Sequence, residues 1–304
     1  METARLKLQG IYSLLAGVLL LVGVTLYQSL VLGPAGYHAP ADAAFSHGDY
    51  GPLLSWIGDH SSAFVIFRIL ELLIFLLILR LPFALHRAFR SYGRTLARWM
   101  LATGLSGLAL FAAMIALSTI SFINAAADYR RQAPSSAAAK DIVSSFSGLY
   151  GAEALAQNTL GGILLAIFLI CASLLIARSG KLQNLLVYFG LLAAALMAAL
   201  ALLFAVSPPE AQTQLTTPTL ASFAVWLIWL GILLIRRAPR LIATATAATT
   251  PAEQAEETLS ASAAAATQEN PPEQASVSPS SEAAPSKNVK TPDANTETAQ
   301  HTDS

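Results

Sequence analysis

Apolar residues gather into six long runs separated by shorter polar stretches, at about residues 10–32, 62–84, 99–123, 155–177, 184–206 and 218–236. Each can form a helix of roughly 20 residues, the length that crosses a hydrocarbon core about 30 Å thick. The third and fifth runs, "LATGLSGLALFAAMIALSTISFI" and "NLLVYFGLLAAALMAALALLFAV", contain no charged residue. Their small residues recur every fourth position, at Ala109/Ala113 and Gly190/Ala194/Ala198. Such spacing lets helix backbones approach closely and predicts that these two spans lie at the centre of the bundle. The pattern as a whole predicts an all-α, polytopic membrane helix bundle of six transmembrane helices over residues 1–240.

Composition agrees. Of 304 residues, 55% are hydrophobic and 12% charged, against about 25% charged in soluble domains. The net charge of zero hides an asymmetry. After Arg240 come nine acidic residues and only Lys287 and Lys290, which leaves 16 basic and nine acidic groups in residues 1–240. The basic residues sit at the ends of apolar runs rather than in a stripe with interleaved aromatics, so no nucleic-acid partner is expected.

Their distribution predicts orientation. Arg5 and Lys7, Arg87 to Arg98, Arg178 and Lys181, and Arg236 to Arg240 fall on one side, eleven in all, against Arg130, Arg131 and Lys140 on the other. Both termini are therefore expected in the cytoplasm, in a bacterial inner membrane. Arg5 and Lys7 also resemble the start of a signal peptide, and Ala39-Pro40-Ala41 a cleavage site. The first apolar run, however, exceeds the roughly 7–15 residues of a signal core and ends well before that site, so a retained helix is expected.

Within residues 241–304, the chain from about 243 onward is mainly Ala, Thr, Pro, Glu, Ser, Gln and Asn, with Leu259, Val277 and Val289 as its larger aliphatics. Such a segment buries too little apolar surface to offset its ordering entropy and is expected to be a disordered acidic tail, available to a protein partner. The first outer loop holds His38, Asp42, His47, Asp49, Asp59 and His60. These side chains suit transition metals, but no helical His spacing or cysteine accompanies them, so a solvated loop is expected, with Trp56 of "GPLLSWI" dipping into the interface. In the second outer loop, Ile142, Phe146, Leu149 and Tyr150 recur at helical spacing and predict a short interfacial helix.

The second span carries charge where lipid should tolerate none. In "VIFRILELLIFLLILRLPF", Glu71 falls near the midplane and Arg68 one turn away on the same helical face. Arg80 lies near the cytoplasmic end, where a long side chain snorkels to water. A central charge costs about 2.5–3.5 kcal/mol on insertion scales, so Arg68 and Glu71 are expected to face the bundle interior. At similar depth the fourth span offers Glu153 and Gln157, four apart on one face, with Asn158 beside them. A polar cluster joining spans two and four follows: either a structural lock between helices or a small pocket for an ion or polar ligand.

Catalytic signatures are sparse. "SSFSGLYGAEA" resembles the Ser-Gly motif of rhomboid proteases, but Ser145 stands where glycine is needed before Ser147, and no later span supplies a histidine. The lone cysteine, Cys171, cannot form an internal disulfide or a multi-cysteine metal site. No Walker loop, zinc-protease motif or dinucleotide fingerprint occurs, and no cofactor or metal is expected.

An Arg and Glu in span two ("FRILELL"), the turn "LLIARSGKLQNLLVYFGLLAA" and the final span "FAVWLIWLGILLIRR" together resemble a bacterial family of six-span membrane proteins known only as a domain of unknown function. The resemblance covers residues 5–240, and what it implies is architecture. The expected role is non-enzymatic: regulation, sensing or assembly. The alternative is a small-solute or proton-coupled transporter that uses the polar cluster.

Overall fold

The computed structural model describes residues 2–180, 182–206 and 215–239. The expected tail, Lys181, Arg240 and the 207–214 connection lie outside the described residues. Eight helices account for nearly all of the rest. They are α1 (Thr3–Leu32), α2 (His38–His47), α3 (Gly51–Asp59), α4 (Ser61–Tyr92), α5 (Arg94–Arg130), α6 (Ala137–Ser179), α7 (Asn184–Ala205) and α8 (Leu215–Pro239). All except α2 and α3 are long and apolar enough to span a bilayer, so this is an all-α, multi-pass membrane protein.

Local sequence explains how these helices begin and end. Pro82 lacks an amide hydrogen and its ring clashes with the carbonyl four residues back, so α4 breaks into a turn at Leu79–Arg80 and resumes at Leu81. Gly48, at φ +73°, closes α2, and Asp49 N–H reaches back to the Ala43 carbonyl at 2.9 Å. Ser136 caps α6 by accepting from Ala139 N–H at 3.1 Å.

The centre of the bundle differs from the sequence expectation. In α6, 61% of the apolar window is buried, against 39% in both α5 and α7. Ala109 and Ala113 face outward, whereas Gly104, Gly107 and Ala112 line the buried row of α5. Spacing alone could not choose between two rows of small residues on one helix. Large partners fill the hollows over the buried row: a Cβ on Gly107 would meet Leu165 at 3.0 Å, and one on Gly161 would meet Phe111 at 2.8 Å. In α7, Gly190 and Ala194 are buried as the spacing predicts. A close backbone approach joins α1 to α8. A Cβ on Gly231 would lie 2.6 Å from the Gly10 carbonyl oxygen, and one on Gly17 would lie 2.8 Å from that of Ala224. Between these glycines, Ser13 Oγ donates to the Leu227 carbonyl at 2.9 Å.

Helices α5 and α6, with 37 and 43 residues, run about 55 Å and about 65 Å at 1.5 Å per residue. Both overrun a bilayer core. They project at the end carrying α2 and α3, termed here the cap end, which the charge pattern predicts to face outward. The expected short interfacial helix is therefore the first part of α6, and Leu149 of its apolar face is exposed. The first loop forms α2 and α3 rather than a solvated coil. Trp56 is buried there, its indole N–H donating to the Ala35 carbonyl at 2.6 Å. Arg130 ties α3 down, donating to the Gly58 carbonyl at 2.7 Å and lying 3.5 Å from Asp59. Beneath lies a second core, separate from the main one, built on Trp56, Phe64, Phe67, Phe122 and Phe146.

Candidate functional site

On α4 the residues facing the bundle are Phe64, Phe67, Arg68, Glu71, Ile74, Phe75 and Ile78, one row at helical spacing. Arg68 and Glu71 interrupt it midway. Toward the cap, Phe64 packs on Phe122 with centroids 5.3 Å apart; on the far side, Phe75 stacks on Phe111 at 5.0 Å. The charged pair is thus a thin polar layer between two aromatic layers.

Within that layer the guanidinium is held on several sides. Arg68 Nη1 donates to Glu71 Oε2 at 2.5 Å, Nη2 to Ser118 Oγ at 2.6 Å and Nε to Thr119 Oγ1 at 3.1 Å. A longer contact runs from Nη2 to the Ile115 carbonyl at 3.5 Å. The hydroxyls are oriented for this task. Ser118 and Thr119 each donate their own hydrogen to the Ile115 carbonyl, at 3.2 and 2.5 Å, which turns their lone pairs toward Arg68. An arginine offers five N–H donors in a fixed fork, and here most have acceptors. The pair retains some access, with 16% of the Arg68 side chain and 25% of that of Glu71 exposed.

The neighbouring helix that engages Arg68 is therefore α5, in a span that the sequence marks as uncharged. The expected fourth-span partners lie elsewhere. Glu153 is 7% exposed; its Oε1 accepts from Ser121 Oγ at 3.2 Å, and its Oε2 is buried without a partner among the described residues. Ser121 also contacts the Leu117 carbonyl at 3.2 Å, so its single hydrogen is shared between two acceptors. Gln157 and Asn158 are half-buried, and neither is among the partners of Arg68. A π-helical turn at Ala156–Gly161 explains why their faces shift, because the 3.6-residue count does not hold through it. The five sequence candidates thus separate into an Arg68–Glu71 pair on α5 hydroxyls, a Glu153–Ser121 contact nearer the cap, and two amides outside both.

Three tyrosines gather on the cap side; the sequence reading marked only Tyr150, as part of an apolar helix face, and not as a neighbour of the charged pair. Tyr150 lies within electrostatic reach of Arg68, Glu71, Tyr37 and Tyr50, and its ring is 5.7 Å from that of Tyr50. Tyr37, in the turn after α1, sits edge-on to Trp56 at 5.0 Å. Its pKa is pushed up to about 12, chiefly by burial and further by the Glu71 carboxylate, with Arg68 opposing. Burial also raises Tyr50. Both remain phenols, donors that carry no charge. The signals that could have found these groups were the hydroxyl-rich "LSTISF" of span three and the tyrosines flanking the loop helices.

Among the described residues no three His, Cys, Asp or Glu side chains converge as metal ligands would. Comparison with curated proteins gives no match, and comparison with solved structures gives none. The sequence profile described as "domain of unknown function (DUF4386)" matches residues 10–238, from the first span to the end of the last. An all-α fold of six apolar helices and a match over most of the chain agree: the protein belongs to the DUF4386 family.

Proposed function

We propose that this integral membrane protein is non-enzymatic and serves in regulation, sensing or assembly, with Arg68 and Glu71 acting as a lock between α4 and α5. The observation carrying this reading is how completely Arg68 is engaged within the bundle: a carboxylate, two pre-oriented hydroxyls and a backbone carbonyl surround it. A group so occupied has few donors left for a substrate. The protein sits in a bacterial inner membrane with both termini cytoplasmic, a placement supported by the eleven-to-three division of basic residues. The acidic residues 241–304 serve to engage a protein partner. Topology is checked by fusing a fluorescent protein or alkaline phosphatase to the C-terminus; fluorescence without phosphatase activity is expected.

A second reading, a proton-coupled or small-solute carrier, is favoured by the partial access to Glu71 and the unpartnered Glu153 oxygen. Proteoliposomes separate the two. The lock reading expects ion and solute fluxes no greater than in protein-free vesicles. A flux abolished by Glu71→Gln in a variant that remains folded would replace it with the carrier reading.

A further inference from the structure

At the cap end an open pocket of about 370 Å³ lies between the α2–α3 turn and the first turns of α6. Its volume lies within the roughly 300–1,000 Å³ of small-molecule sites. One wall carries Asp49 and Tyr129. A Cβ on Gly51 would meet Tyr129 Oη at 3.2 Å and Asp49 Oδ1 at 3.4 Å, so both oxygens border the space over that glycine. The other wall is a face of α6 that presents Lys140, Ser144 and Ser147 at i, i+4 and i+7.

The charges lining this pocket are free of the ion pairs that engage the cap arginines. Arg130 is engaged with Asp59, and Arg131 with Asp128 at 3.3 Å. Among the described residues neither Asp49 nor Lys140 has an ion-pair partner, and both line the same cavity. Asp49 Oδ1 accepts only the neutral Gly51 N–H, at 3.2 Å. Two exposed charges of opposite sign, Asp49 and Lys140, thus line one space the size of a small molecule, together with the hydroxyls of Tyr129, Ser144 and Ser147.

We propose that this pocket binds a small free zwitterion of the amino-acid class, its ammonium toward Asp49 and Tyr129 and its acid group toward Lys140 and the α6 serines. The pocket's position favours a soluble ligand over a lipid headgroup. If hydrocarbon begins near residue 155, Lys140 stands about 22 Å above it at 1.5 Å per residue, whereas a headgroup layer is only about 5–7 Å deep. Next to the lining residues, Phe146 and Tyr150 stack at 5.9 Å and Tyr50 packs edge-on against both, an aromatic cluster on the bundle side of the α2–α3 turn. The inference rests on the non-enzymatic reading and names what would be sensed, but its test involves neither Arg68 nor Glu71, so its failure leaves the lock untouched.

The test uses the full chain in detergent, with thermal unfolding and calorimetric titration against the twenty amino acids and phosphoethanolamine, each at 10 mM. Acetate, methylammonium and N-acetylglycine serve as single-charge controls. At least one zwitterion should raise Tm while the controls do not. Asp49→Asn and Lys140→Gln should each weaken its binding tenfold or more without changing the ligand-free Tm, since asparagine still offers Oδ1 to Gly51. No shift from any zwitterion, or a shift surviving both substitutions, overturns the proposal. So does a shift produced only by phosphatidylethanolamine in nanodiscs, which would make the source a lipid.

Discussion

Replacing Ser118 by alanine tests which helix holds Arg68. Its hydroxyl receives the shorter of the two bonds that cross to α5 side chains, 2.6 Å against 3.1 Å at Thr119, and it is almost fully buried. Hydrogen bonds to charged groups contribute about 1.5–3 kcal/mol, whereas interhelical bonds in membranes average about 0.6 and reach about 1.7. The residual Ile115 carbonyl contact, at 3.5 Å, keeps Nη2 from complete isolation. A loss of about 1–2 kcal/mol is therefore expected for Ser118→Ala, a fall of roughly 2–8 °C at about 2–4 °C per kcal/mol. Thr119→Val, nearly isosteric, should cost about half as much, given its longer bond. The assay is thermal unfolding in detergent, with exposed Ser106→Ala on the same helix as a control. Gln157→Ala and Asn158→Ala, at the positions the sequence pairs with Arg68, should each cost less than Ser118→Ala. In an Arg68→Gln background the Ser118→Ala loss should largely vanish, because its partner has gone. An undiminished loss in that background, or amide substitutions more damaging than the hydroxyl ones, would refute the assignment to α5.

Other consequences follow from the same geometry. Gly231→Leu should destabilise by at least about 2 kcal/mol, since even a Cβ there would lie 2.6 Å from the Gly10 carbonyl oxygen; thermal unfolding reads it. Tyr37→Phe should flatten the alkaline limb of stability. Between pH 10 and about 12 the unfolded phenol ionises while the folded one does not, so stability falls as pH rises through that window, by an order of 2–3 kcal/mol at most. Arg130→Ala should cost no more than about 1 kcal/mol, because its ion pair with Asp59 is mostly solvent-exposed, yet it should speed proteolysis of α3.

The six spans were legible because each apolar run is long enough that no tertiary detail can override it. Arg68 and Glu71 were legible for the same reason in reverse: three residues apart on a helix, they meet whatever surrounds them. What failed depended on rotation about a helix axis. Ala109/Ala113 and Gly104/Gly107 are both plausible packing rows of α5, and only the partners Leu165 and Phe168 decide between them. Glu153 and Gln157 share a face only if α6 is regular, and the π turn beginning at Ala156 breaks that premise. The outer loop misled differently. Its histidines and aspartates suggested solvation, but Tyr37, Tyr50 and Trp56, spaced among them, had rings to bury and folded the segment onto α5 and α6. The α5 hydroxyls of "LSTISF" were an ambiguous signal because serine and threonine inside a span usually bond their own helix; here they do so and still accept from Arg68.

The central claim is that the intramembrane charges hold α4 to the bundle, and a double-substitution cycle of Arg68→Gln and Glu71→Gln tests it most directly. Removing one member of a buried pair strands the other, at about 3–5 kcal/mol. Each single change should therefore lower the unfolding temperature in detergent, and the double change should recover more than half of the summed loss. Singles that are neutral or stabilising, with additive effects in the double variant, would contradict the lock and leave the two charges to be explained by a ligand.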